Sequence, residues 1–436
     1  VRKKALAFLS AALLAASGLA ACSSGGSGSD ANTITYWASN QAPSLQKDKE
    51  ILTPRLAAFT KQTGIKVNLE VIAWDHLLDR ITTATTSGDG PDVVNIGNTW
   101  SASLQATGAF VDFDSATFKK VGGKEKFLAT SLSSTGAAGK APTSVPLYGL
   151  SYGLFYNKKK FADAGIANPP TSWTEFVADA KKLTNPAKGE YGVSFAGASY
   201  TENVHFAYIL GQQYGSDYFD ASGKATFATP QNVKGVKRYL DWLGADKISI
   251  PSSAEHGQGQ DAVADFTSGK AAMIMQQTGT TASIAAGGMK ESDYGVVPLP
   301  IENPLPPGGR KITSFVAGIN ISAFKEKNTE AALKFINYMT SPAVQVDLNK
   351  QFGSLPVVGA ATSDPAFQTP TKKVFVDVLR NSSKTMPMVV NESQFETTVG
   401  AALKDLVAQQ ATGKIASEAD VKAALTAAQQ KLTSGG

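Results

Sequence analysis

Two short segments of this chain set aromatic rings beside side chains that donate and accept hydrogen bonds: Trp37 with Ser39, Asn40 and Gln41, and Asn98 and Thr99 with Trp100. Such mixtures suit a solute covered in hydroxyls, whose C–H faces lie against rings while its O–H groups exchange hydrogen bonds with amides, carboxylates and hydroxyls. Each tryptophan equally fits a buried place between elements, and each polar neighbour a solvated loop. Further along, Tyr200, Glu202 and Asn203 open a helical stretch, where Glu202 would also complement the positive helix N-terminus. Gln276, Gln277 and Thr278 follow a buried-looking strand, and Tyr148 and Tyr152 offer ring surface on an alternating run that is as readily strand core.

Catalytic chemistry has less to work with. His76, His205 and His256 stand outside any motif, and no HExxH, GxSxG or GxxxxGK[ST] pattern occurs. Gly88-Asp89-Gly90-Pro91 is read as a turn before a strand, because Pro91 removes a donor that a phosphate loop needs. A glycoside hydrolase needs two carboxylates at a set separation, and among 36 acidic residues some pair can always be nominated. One cysteine excludes a disulfide framework and a cysteine-rich zinc site. No catalytic residue, metal or cofactor is expected.

The elements that position these residues follow from periodicity. Thr33–Trp37, 65–72 and 92–96 read as strands, with helices over 50–63 and 75–86 between them, the first ended by Gly64. Strands alternating with helices imply a parallel sheet covered on both faces, with ligands beyond the carboxyl ends of its strands, which is where 38–41 and 97–100 fall. A second α/β set follows, with helices over 174–183, 202–213, 231–243 and 262–268 and strands over 191–195 and 271–275; Tyr294–Leu299 and 314–321 are read as strands returning to the first set. At 436 residues, with 42% hydrophobic and 18% charged content, the chain fits two globular domains.

The run Val145–Phe161, VPLYGLSYGLFYNKKKF, alternates with a period of two and leads through a short helix to the Pro169–Trp173 turn PPTSW. With GIKVNLE at 64–70, GDGPDVV at 88–94, GKAAM at 269–273, YGVVPLP at 294–300 and AGIN at 317–320, it resembles the extracellular solute-binding proteins of ABC importers, the maltose-binding-protein-like group, over 33–432. The resemblance implies an α/β, two-lobed periplasmic-binding-protein-like fold (type II). Each lobe would be a mainly parallel sheet flanked by helices, joined to the other by a hinge. It places residues 32–147 and 296–350 in one lobe, 148–295 and 351–436 in the other, and chain crossings near Tyr148, Tyr294 and Phe352. It also places a ligand-binding carboxylate at Glu202. Relatives carry a glycine and a stacking tryptophan after the GKAAM strand; Gly279 stands there instead, and Glu396 stands near the place of a C-terminal aromatic. The solute implied is a carbohydrate, delivered to the transmembrane subunits of an ABC permease by a monomeric receptor; a glycerophosphodiester is the alternative.

Arg2, Lys3 and Lys4, the apolar 5–21 and Leu19-Ala20-Ala21-Cys22 read as a signal peptide over 1–21, closed by a sequence resembling the bacterial lipobox. Cys22 would then carry a diacylglyceryl group, and 22–31 (CSSGGSGSDA) would be a flexible tether holding the protein on the extracytoplasmic face of the cell membrane. Three of the five net positive charges lie in that leader, so no basic nucleic-acid footprint remains.

Overall fold

The computed structural model describes residues 32–220 and 222–434; the leader, Cys22 and the tether lie outside them. The strands, in chain order, are β1 (Thr33–Ser39), β2 (Lys66–Ile72), β3 (Val93–Gly97), β4 (Val145–Leu150), β5 (Tyr152–Asn157), β6 (Tyr191–Ser194), β7 (Ala271–Gln277), β8 (Tyr294–Val297), β9 (Ser314–Phe315), β10 (Ala317–Ala323) and β11 (Ser383–Lys384). They build a five-stranded sheet ordered β2-β1-β3-β10-β4, a four-stranded sheet ordered β6-β7-β5-β8, and the short β11-β9 pair.

The helix between β1 and β2 stops at Gly64, as the sequence implied, and starts at Leu45 rather than at residue 50. Leu45–Thr63 begins under the Ser44 hydroxyl, which accepts from Lys47 N at 3.1 Å, and ends at Gly64, whose φ of 76° is a left-handed cap. Its buried face, Ile51, Leu52, Leu56 and Phe59, packs with Ile34, Tyr36, Phe335 and Met339 to form the core of the first lobe. The second lobe centres on Trp173, Phe176, Phe195, Phe206, Tyr239 and Trp242. Trp242 meets the other five of those rings at centroid distances of 5.1 to 6.4 Å.

Both sheets are mixed. β1 runs parallel to β2 and β3, whereas β10 is antiparallel to β3 and β4; in the other sheet β6 and β7 are parallel, and β5 is antiparallel to both neighbours. The antiparallel strands are those that carry the chain between lobes, so they arrive from the opposite direction to strands fed by local crossover helices. The Val145–Asn157 run is two strands rather than one. β4 belongs to the first sheet and β5 to the second, and the break at Ser151 is held by Thr278 N on the Ser151 carbonyl (3.1 Å) and by the Ser151 hydroxyl on Phe375 O (2.9 Å). Gly153 lies just beyond, where a Cβ would come within 2.7 Å of the Phe375 ring.

The other crossings differ in place from the expected ones. Tyr148 packs in the first core against Phe352. β8 pairs with β5, and Leu299 and Phe315 belong to the second core, so the second passage falls between Phe315 and Ile319. The third lies near Leu355, whose backbone exchanges hydrogen bonds with Gly149 at 2.8 and 2.9 Å. A strand's partner is not written in its own alternation, so β8 read equally well for either sheet.

Candidate functional site

Between the lobes lies a cleft of about 440 Å³. From the first lobe its wall takes Asn40 and Gln41 beyond β1, Trp74 and Asp75 beyond β2, Gly97 to Thr99 beyond β3, and Phe352; from the second it takes Tyr200, Glu202 and His205, Gln258 and Gln260, and Gln276 and Gln277 at the end of β7, with Lys404. Three neighbouring strands thus deliver their carboxyl ends to one rim.

Of the residues singled out in the sequence, Asn40, Gln41, Asn98, Thr99, Tyr200, Glu202, Gln276 and Gln277 line this cleft. Trp37, Ser39, Trp100, Tyr148, Tyr152 and Thr278 do not. Trp37 sits in an apolar cluster with Ile72, Leu77 and Ile81, with the Arg80 guanidinium 4.3 Å from its ring centre. Ser39 is buried, accepting from Gln41 Nε2 at 3.2 Å. Trp100 is fully buried and donates its indole N–H to Glu396 Oε2 at 2.8 Å. Thr278 clamps the Ser151 break, and Tyr148 is core.

The first lobe's half-buried aromatic at the cleft is Trp74, which the sequence analysis did not single out. Its ring stacks on Trp100 (4.6 Å between centres, 26° between planes), and its backbone N–H is held by Asn40 Oδ1 at 2.9 Å. Gly97 makes room for the pair, since a Cβ there would come within 2.9 to 3.0 Å of both indoles. Asn98 is turned back by its bond to the Val316 carbonyl at 2.6 Å, which ties β3's rim to the second crossing.

On the facing wall, the Ser199 hydroxyl caps the Tyr200–Gln213 helix and accepts from Glu202 N at 3.4 Å. The buried Tyr152 hydroxyl donates to Glu202 Oε1 at 3.0 Å and meets His205 Nδ1 at 2.9 Å, while Gln277 Nε2 donates to it at 3.1 Å. Burial raises the Glu202 carboxyl above its ordinary value, partly offset by His205 and the Tyr152 bond; burial and the neighbouring Glu202 push the Tyr152 hydroxyl well up, so it remains a donor. Two cleft-lining polar atoms are buried without a hydrogen-bond partner among the described residues: the acceptor Glu202 Oε2 and the donor Gln276 Nε2. His205, three residues after Glu202, shares its helix face, a spacing readable in the sequence. Among the described residues no group of His, Cys, Asp or Glu is arranged to hold a metal ion, and no helix is long and apolar enough to cross a membrane.

Comparison with known proteins agrees with this architecture. A binding protein of Brucella abortus (strain 2308) is 28% identical over 343 residues, 78% of each chain. The diacetylchitobiose binding protein DasA of Streptomyces coelicolor is 25% identical over 68% of each chain, and the sn-glycerol-3-phosphate-binding periplasmic protein UgpB of Rhizobium meliloti 24% over 64% of each. The GacH receptor of Streptomyces glaucescens, solved unliganded and with acarbose, superposes with a TM-score of 0.77 at 21% identity, covering 92% of this chain and 98% of its own. The family model for bacterial extracellular solute-binding proteins matches residues 42–346. The chain belongs to that family, the extracytoplasmic substrate-binding components of ABC transporters, which are binding proteins rather than enzymes.

Proposed function

We propose that this protein captures a carbohydrate between its lobes, closing about the crossings near Ser151, Val316 and Leu355, and delivers it as a lipid-anchored monomer to an ABC permease. The observation that carries this reading is the bare acceptor Glu202 Oε2 and bare donor Gln276 Nε2 on one wall, facing a cleft whose other lobe offers the Trp74 ring. An unpaired buried polar atom costs about 1–3 kcal/mol, and a polyhydroxylated solute removes that cost at both atoms while its C–H face covers the indole. A phosphate is served less well: among the described residues the lining holds Asp75 and Glu202 beside His205 and one lysine, Lys404, and no arginine. The lining residues Asn40, Gln41, Tyr200 and Gln277 supply further amide and hydroxyl partners.

The test is a panel of mono- and oligosaccharides with glycerol 3-phosphate and glycerophosphodiesters, read by thermal shift and by product formation. A sugar at a hundred times its Kd is expected to stabilise the fold by about 2.7 kcal/mol without turnover. Stabilisation by the phosphorylated solutes alone selects the alternative ligand class, and sugar cleavage identifies a hydrolase.

For the anchor, Cys22→Ala is expected to release the protein from the membrane with ligand affinity unchanged, because a Ser/Gly tether separates that residue from the fold. Fractionation after a high-salt wash checks it; a variant that stays with the membrane removes the lipid anchor from the account.

A further inference from the structure

Glu392 and Glu396 lie outside the cleft, on the second-lobe helix Glu392–Ala411, and both are fully buried. Glu396 Oε2 accepts from Trp100 Nε1, which belongs to the first lobe, and the Glu392 carboxyl lies within side-chain hydrogen-bond reach of Glu396. The same seam holds Ser393 N on Ser103 Oγ at 3.1 Å. On its other side, Glu396 Oε1 faces His205 Nε2 at 3.7 Å, an electrostatic contact rather than a hydrogen bond.

From His205 the chain of contacts runs into the cleft. The Tyr152 hydroxyl has one proton, and it goes to the Glu202 carboxylate. The hydroxyl must then accept from His205 Nδ1–H and from the Gln277 amide. His205 therefore carries a proton on Nδ1, and its Nε2 attracts the Glu396 carboxylate only when that nitrogen is protonated as well.

We propose that Glu396 is a positioning residue that couples lobe closure to the ligand-facing carboxylate: its bond to Trp100 forms only when the lobes meet, and the carboxylate so fixed orients His205, Tyr152 and, at the cleft, Glu202. Trp100 is accordingly a closure contact and not a stacking surface for the solute. The coupling rests on the two-lobed architecture and not on the identity of the solute.

The seam's charges give the coupling a pH signature. Facing it are Tyr200, His205 and Tyr208 from the Tyr200–Gln213 helix and Asp75 and Asp79 from the first lobe, with Glu202, Tyr152 and, at the cleft, Lys404 beyond them. Burial, then the charge of Glu396, holds the Glu392 carboxyl well above its ordinary value, and burial raises Glu202. Opening the seam readmits water and returns these carboxyls toward about 4.3. Closure therefore takes up protons. Its advantage is full below the ordinary carboxyl value and is lost as pH rises through the raised ones.

Small-angle X-ray scattering of the unliganded full chain between pH 5 and 9 tests this without any solute, so the carbohydrate reading can fail while this inference stands, or the reverse. The wild-type radius of gyration is expected to shift upward as pH rises. Trp100→Phe, which keeps a ring but removes the N–H, should hold the larger radius throughout. Glu392→Gln, which removes the seam carboxyl held above its ordinary value, should flatten the curve at the smaller radius. Circular dichroism confirms folding, and either variant suffices if the other fails to fold. A pH-independent wild-type radius, or a folded variant that follows the wild-type curve, overturns the proposal.

Discussion

Replacing Trp74 by alanine is expected to weaken carbohydrate binding about thirtyfold, a loss of about 2 kcal/mol, while the unliganded protein keeps its fold. The ring is prepared for contact before any solute arrives. One face is stacked on Trp100, which is itself locked among Leu77, Ile81, Ile96 and Leu104, and the backbone is fixed through Asn40. A platform that is already ordered loses little entropy on binding, so more of the contact energy appears as affinity. The cost to folding is smaller because Trp74 is half-buried and its partner remains packed. For a chain of this size, each kcal/mol lost lowers the melting temperature by about 2–4 °C or less. Calorimetry with the sugar that the panel selects, beside a melting curve, separates the two effects.

The second large effect is at Glu202, where glutamine is expected to weaken the same sugar between about ten- and a hundredfold. Hydrogen bonds to a charged group contribute about 1.5–3 kcal/mol, and the amide replaces a carboxylate whose Oε2 is bare toward the cleft. Stability should move the other way. A partly buried carboxylate with one unpaired oxygen strains the unliganded fold, so the neutral side chain leaves the melting temperature unchanged or raises it. A variant that loses both affinity and stability would mark Glu202 as a structural group.

Much of the fold was legible because its signals are local. Gly64 ended a helix where a left-handed cap is required, and the alternation of Val145–Asn157 identified strand, although not the break at Ser151 that divides it between two sheets. Strand partners were less legible: β8 carries buried Tyr294 and Val296 at alternate positions, which fits either sheet, and only the assembled fold sets it beside β5. The cleft was read through the rule that ligands lie beyond strand carboxyl ends. The rule found Asn40, Gln41, Asn98 and Thr99 but could not say which way an indole points. Trp100 follows β3 through one 3-10 turn that directs its ring inward to Glu396, whereas Trp74, the first residue of the helix after β2, meets the same rule but falls inside a helical periodicity that accounts equally well for its ring. Gln258 and Gln260, the N-cap and first turn of the Gly259–Thr267 helix, sit in a Gly/Gln-rich sequence that gave no such signal.

The central claim is that one solute is held by both lobes at once, and titration calorimetry of the panel's sugar into four proteins tests it most directly. The wild type, Trp74→Ala from the first lobe, Glu202→Gln from the second and Trp37→Phe as a buried control should be measured under one condition. The account predicts weakened binding in both cleft variants and wild-type affinity in the control. Wild-type affinity in Trp74→Ala and Glu202→Gln together would contradict it.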